Sequence, residues 1–291
     1  MQNLRSLRQR IRSVQNTQKI TKAMQMVAGA KLRRSQEELH SFKPYALALG
    51  QMTQRFLSAN PELQHPLLGP VSVRAEFVEA PEVPPAGLIL VTSDTGLCGT
   101  YNERVLSAAA KFRMEFPSGV VVAIGRKGTR ALAHRGVRPA KEIVTWGGRY
   151  DPAEAGKLLG WMEAEYLEGR VSSWNASYTR FLSALSWKPV VERLMPTERP
   201  EPQEYPEKVI VEPDAATFAD ELLRQQLRSQ FARILLEAFT AEHSARMVAM
   251  KNATENADEM ISSLTLVRNK ARQAAITKEL IEVVSGAEAL K

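Results

Sequence analysis

The chain has 291 residues, a mass of 32.4 kDa, 44% hydrophobic and 24% charged residues, and a formal net charge of +7. These fractions describe a globular chain rather than a disordered one, and no run reaches the roughly 20 apolar residues that a membrane-spanning helix needs. One cysteine, Cys98, excludes an internal disulfide and a multi-cysteine metal site; the charged pattern after Met1 reads as lacking a signal peptide, and both suit a reducing compartment.

The distribution divides the chain. All four Trp lie between residues 146 and 187, and fifteen of sixteen Pro and thirteen of sixteen Gly lie between Pro61 and Pro213. Residues 1–40 hold nine Lys+Arg against two Asp+Glu, while the remaining residues balance at thirty against thirty. The basicity therefore belongs to one end. The division expected is a coiled-coil helix over 1–60, a central α/β domain with Pro-rich connectors over 61–213, and a second coiled-coil helix over 214–291.

In chain order, Leu4, Leu7, Ile11 and Val14 keep the 3–4 spacing of a helical stripe. Thr17 and Gln18 interrupt it, and it resumes at Ile20, Met24, Val27 and Ala28, an offset that predicts a stutter. The helix should end near Ala59, because Asn60-Pro61 disfavours continuation, and Pro44 should kink it. Residues 61–85 and 189–213 read as connectors.

Residues 87–92 (GLILVT) form a short apolar run of the kind seen in fully buried strands. A loop, SDTGLCG, follows over 93–99, then a helix over 103–116. GVVVAIG at 119–125 predicts a second strand, residues 127–134 a short helix, and 153–167 a longer one. Strands are predicted at 176–185 and 190–195. Alternating strands and helices argue a mainly parallel, Rossmann-like sheet.

Residues 214–285 contain neither Gly nor Pro and are rich in strong helix formers. A seam passes through Ala232, Leu236, Phe239, His243, Arg246, Met250, Ala253, Ala257, Met260, Leu264, Val267, Ala271, Ala274, Lys278 and Ile281, sustained over about seven heptads. His243, Arg246 and Lys278 are polar intrusions. A helix this long needs a partner, and the two terminal helices can pair antiparallel within one chain.

Chemical candidates are few. The 94–99 loop fits neither GxGxxG nor GxxxxGK[ST] and has no Lys placed for a phosphate; a Gly-rich turn at the top of a sheet is the better reading. A lone Asp-Thr-Gly lacks the second carboxylate that acid protease chemistry requires. Cys98 reads as a small buried hydrophobe, and His40, His65, His134 and His243 have no metal-ligand spacing. No convergent catalytic set is present, so no activity and no cofactor or metal is expected. The basic residues near the N-terminus share turns with the apolar stripe, which fits a helix with one seam face and one charged face. An acidic protein surface and a polyanion both remain open as its partner, the second making the chain a basic coiled-coil adaptor for nucleic acid.

Three segments resemble one family. IRSVQNTQKITKAMQMVAGAKLRRSQ (11–36), SDTGLCGTYN (93–102) and ARMVAMKNATENADEMISSLTLVRNKARQAAITKELIEVVSGAEAL (245–290) are similar to the gamma subunit of F-type ATP synthase, in the expected order. The resemblance implies a non-catalytic rotor shaft, one copy per complex. It sits in a ring of alpha and beta subunits, and its α/β domain contacts the epsilon subunit and the membrane rotor ring. It also implies a place on the cytoplasmic side of a cell membrane, peripheral to it and bacterial rather than organellar, with no nucleic acid. Subunit contacts are implied at Lys22, Ala23 and Met24, with Arg246, Gln273 and Thr277 opposite, and residues 281–290, starting at Ile281, are implied to sit in the ring's apolar bearing. Gly29, Thr95 and Arg268 depart from the family pattern, Gly29 in helix stiffness, Thr95 in a foot-loop contact and Arg268 in a ring contact. The paired cysteines of the redox-regulated chloroplast form are absent.

Overall fold

The computed structural model describes residues 4–69, 84–199, 211–212 and 214–288, the last without side chains for 286–288. Most of the two expected connectors, residues 70–83, 200–210 and 213, lies outside the described residues.

Helix α1 runs Leu4–Ala59 and continues through Pro44. It ends one residue before Asn60, whose side chain donates to Phe56 O at 2.9 Å and so satisfies a terminal carbonyl. Helix α5 runs Ala215–Glu288. Asp214 caps its start, accepting from the amides of Ala216 and Thr217 at 2.9 Å and from Thr217 Oγ1 at 2.8 Å. These bonds, Thr217's foremost, hold the Asp214 carboxyl below its ordinary range.

Between them lie β1 (Ala86–Val91), α2 (Tyr101–Glu115), β2 (Val120–Ile124), α3 (Arg126–His134), β3 (Lys141–Ile143), α4 (Pro152–Leu167), β4 (Ser173–Ser183) and β5 (Ser186–Met195). They form a five-stranded sheet in the order β3-β2-β1-β4-β5. It is parallel except for the β4–β5 hairpin. The sheet is α/β and mainly parallel, as its alternation predicts.

Side chains of β1 alternate between two cores, as the period of a strand requires. Leu88 and Leu90 pack with Val105, Ala109 and Leu132. Ile89 and Val91 join the larger core, with Leu158 and Met162 of α4, Trp174 of β4, and Leu223, Phe231 and Leu235 of α5. Gly87 sits opposite Trp174 in the register, where an added Cβ would lie 2.3 Å from the indole. A strand residue with any side chain would displace that fully buried ring.

The chain divides into two compact units, residues 1–29 with 246–291, and residues 30–245. In the first, burial follows a single uninterrupted 3–4 pattern along α1: Leu4, Leu7, Ile11, Val14, Gln18, Thr21, Gln25 and Ala28 are buried or half-buried. The expected stutter is therefore absent. Ile20 and Val27 are 60% and 58% exposed, and the seam passes instead through polar residues that have partners across it. Gln18 donates to Asp258, and Thr254 Oγ1 donates to Thr21 Oγ1 at 2.9 Å.

The α5 seam needs a matching correction. Met250, Ala257, Leu264 and Ala271 face inward as expected, but the alternate positions are Thr254, Ile261, Arg268 and Ala275, each one residue beyond Ala253, Met260, Val267 and Ala274. Met260 and Val267 point outward at 46% and 45% exposure. Lys278 and Ile281, further along the predicted seam, are exposed as well.

Gly29 interrupts no contact. A Cβ there would meet Met247 Sδ at 3.6 Å, an ordinary packing distance. Gly29→Ala is expected to stabilise the chain by about 0.5–1 kcal/mol through helix propensity alone. Thermal unfolding of the two chains checks this; a lowered midpoint would mean that close helix approach requires the glycine.

Candidate coupling surface

The first unit presents a charged and partly apolar exterior. Lys22 and Ala23 are exposed and Met24 is half-buried. Lys22 and Ala23 line a shallow groove of about 440 Å³ with Gln18, Lys19, Met26, Thr254 and Asp258. On α5, Gln273 and Thr277 are exposed one turn apart, with Thr277 Oγ1 donating to Gln273 O at 3.0 Å. Arg246 is buried, at 9% exposure. Hence the structure gathers Lys22 with Ala23 and Gln273 with Thr277, while the α5 residues beside Lys22 are Thr254 and Asp258. Ile281, Val283 and Val284 are 60%, 69% and 63% exposed, and residues 289–290 lie outside the described residues. The apolar stretch expected to fill a bearing is thus turned outward in the isolated chain as far as it is described.

In the second unit, the loop after β1 is tied down by its own side chains. Asp94 accepts from the amide of Arg126 at 2.9 Å through one oxygen and from Gly147 at 2.8 Å through the other. Those amides, one of them the first of α3, are the kind that cradle phosphate in nucleotide-binding loops; here a carboxylate already occupies them. Thr92 Oγ1 accepts from Gly128 N at 2.8 Å, and Gly125, at φ 96°, passes so close that a Cβ would lie 2.1 Å from Thr92 O. Cys98 is 2% exposed, packs with Tyr101, Ala241 and Ala245, and accepts from Asn102 Nδ2 at 3.2 Å. It is a packing residue, as its isolation in the sequence suggests.

Sequence reasoning missed a charged cluster assembled from distant positions. Tyr178 OH donates to Glu192 at 2.8 Å, Arg180 Nη2 donates to the same carboxylate at 2.6 Å, and Arg233 bridges Glu192 and Glu237. Burial, reinforced by Glu237, pushes the Tyr178 hydroxyl far above its ordinary range. Burial would raise Glu192 too, but Arg233 and the bonds from Tyr178 and Arg180 outweigh it and hold that carboxyl low. The cluster borders a groove of about 860 Å³ lined by Phe42, Leu47 and Val191 among others. Its charges satisfy one another, which marks it as structural rather than catalytic.

Two long terminal helices paired along a seam, with a central α/β sheet whose loop amides are taken up by Asp94, define the class to which this chain belongs. The family profile described as ATP synthase matches residues 3–290. The ATP synthase gamma chain of Moorella thermoacetica is 41% identical over 293 residues, covering 100% of both chains. That of Ralstonia nicotianae is 40% identical over 304 residues with the same coverage. Among solved structures, a chain of the Euglena gracilis mitochondrial ATP synthase (OSCP/F1/c-ring) superposes with a TM-score of 0.67 at 16% identity, covering 99% of this chain and 94% of that one. One from the central stalk and c-ring of the Tetrahymena thermophila enzyme gives 0.60 at 21%, covering 80% and 99%. The chain belongs to the ATP synthase gamma chain family, a non-catalytic part of that complex.

Proposed function

We propose that the chain is the central rotor shaft of an F-type ATP synthase, coupling proton flow through a membrane rotor ring to ATP synthesis or hydrolysis on beta subunits. The observation that carries this reading is the pairing of α1 with α5 in a full-length relative of gamma chains, with basic and apolar side chains turned outward along both helices. Its partners are then an alpha–beta hexamer around the paired helices, and an epsilon subunit and rotor ring at the α/β domain. Lys22, Ala23, Met24, Arg246, Gln273, Thr277 and Ile281 are proposed as subunit contacts. No helix among the described residues is long and apolar enough to cross a membrane. Peripheral attachment on the cytoplasmic face of a bacterial cell membrane is part of the proposal, supported by the similarity to gamma chains of bacteria.

Copurification with mass spectrometry tests the assignment: alpha and beta subunits are expected, whereas recovery of nucleic acid alone would favour the adaptor reading. The basic face separates the two more sharply. Exposed ion pairs are individually weak and salt-screened, which suits contacts made and broken as a shaft turns. Lys19→Gln with Lys22→Gln is expected to lower coupled turnover or torque while leaving assembly intact. A polyanion-binding helix would instead lose about one unit of salt slope per phosphate contact removed. Single-molecule rotation and a nucleic-acid salt titration on the same variant read out both.

A further inference from the structure

Within the second unit, α5 is buried on every face from residue 234 to residue 245. Its apolar surface over the last two turns is mostly alanine: Ala238, Ala241 and Ala245. Apart from Phe239, whose ring meets Trp146 edge-on with centroids 6.2 Å apart, these small side chains present a smooth surface. Packing of this kind holds a helix in place but offers little resistance to turning about its own axis, since apolar contact is non-directional.

Glu237 accepts from Tyr178 OH at 3.2 Å, and further directional contacts are supplied from four separate segments. From the start of α2, Tyr101 OH donates to Ala238 O at 3.0 Å. In the loop before α4, Gly148 O accepts from His243 Nε2 at 3.0 Å. At the β4–β5 turn, Ala184 O accepts from Ser244 Oγ. On α1, Ser35 O lies 3.3 Å from Thr240 Oγ1. At 100° per residue these four positions of α5 are distributed over about 220° of the helix circumference.

The surrounding loops are themselves braced. Gly147 and Gly148 have φ 59° and 75°, and Asp94 holds the first through its amide. A Cβ on Gly148 would lie 2.9 Å from the His243 ring, so only glycine admits this approach. The turn therefore links the β1 loop to α5 through Asp94 on one side and His243 on the other.

We propose that this collar is the rotational lock through which torque passes between α5 and the α/β domain, with Tyr101, His243 and Ser244 as its positioning residues. The inference rests on the rotor reading. It assigns to the Asp94 loop an internal role: the loop fixes the turn that keys the helix.

The test uses the complete complex in proteoliposomes, with ATP hydrolysis and ATP-driven proton pumping measured together. The combination Tyr101→Phe, His243→Ala and Ser244→Ala removes three directional bonds and is expected to leave hydrolysis near that of the unsubstituted complex, while pumping per ATP falls about threefold or more. His243→Gln, whose carboxamide can still donate to Gly148 O, is expected to retain coupling. An unchanged pumping-to-hydrolysis ratio in the triple variant would overturn the proposal. If the triple variant does not assemble, Tyr101→Phe with Ser244→Ala carries the same comparison, and an unchanged ratio there overturns it equally. Failure of the unsubstituted complex to pump would count instead against the rotor reading itself.

Discussion

Removal of residues 241–291 is expected to abolish coupled ATP synthesis. The truncation takes away Met250, Thr254, Ala257, Ile261 and Leu264, the inward face of α5 in the unit where Leu7, Ile11 and Ala28 are buried. Exposing a Leu- or Ile-sized side chain costs about 1.5–3 kcal/mol, and α1 would expose several of them at once. It also removes His243 and Ser244 from the collar around α5. The main sheet core, assembled from residues 49–239, is kept, while the small cluster of Cys98 and Tyr101 loses Ala241 and Ala245; the α/β domain should still give its circular dichroism signal. Normal proton-driven synthesis by a complex carrying the truncated chain would show that this stretch of α5 is not the shaft.

Arg233→Met is expected to destabilise the full chain by about 2–3 kcal/mol at neutral pH, below the usual figure for a fully buried pair because the groups are partly solvated. The arginine sits between Glu192 and Glu237, with side-chain exposures of 28%, 20% and 11%. Without it, two carboxylates and the Tyr178 hydroxyl face one another with only Arg180 nearby. The pH dependence has a definite sign. Glu192 is held below its ordinary value, so its contribution is complete above the ordinary carboxylate range and is lost as pH falls through the lower folded value. In the variant that depression is weakened, since only Tyr178 and Arg180 still reach the carboxylate. The gap between the two chains should therefore be widest near neutrality and narrow in acid, where Glu192 is protonated. Urea unfolding at several pH values measures it, and a gap that widened in acid would contradict the assignment.

Legibility differed by element for physical reasons. The end of α1 was readable because Asn60-Pro61 is a local steric signal, and β1, β2 and α2 to α4 because buried strands and their connecting helices carry dense apolar runs. Strand β3 was not, since Lys141-Glu142-Ile143 is a three-residue edge strand placed by its register with β2. The seam misled for a subtler reason. Ala253 and Val267 are more apolar than Thr254 and Arg268, and Met260 is about as apolar as Ile261, so apolar periodicity favours the outward stripe over the inward one. A chain whose exterior also meets protein breaks the rule that the greasier face is the buried face. The charged cluster of Arg180, Glu192, Arg233 and Glu237 left no local trace, because its members come from β4, β5 and α5.

Those outward side chains bear on how such a subunit is made in a cell. Met26, Val27, Leu266, Ile276, Leu280 and Val283 are each at least half exposed. Apolar side chains left exposed on a lone chain invite self-association. On the proposed rotor reading the chain is safest when its synthesis keeps pace with that of its partner subunits, and an excess over them should gather in insoluble material. The stoichiometry of production thereby becomes a requirement written on the surface of two helices.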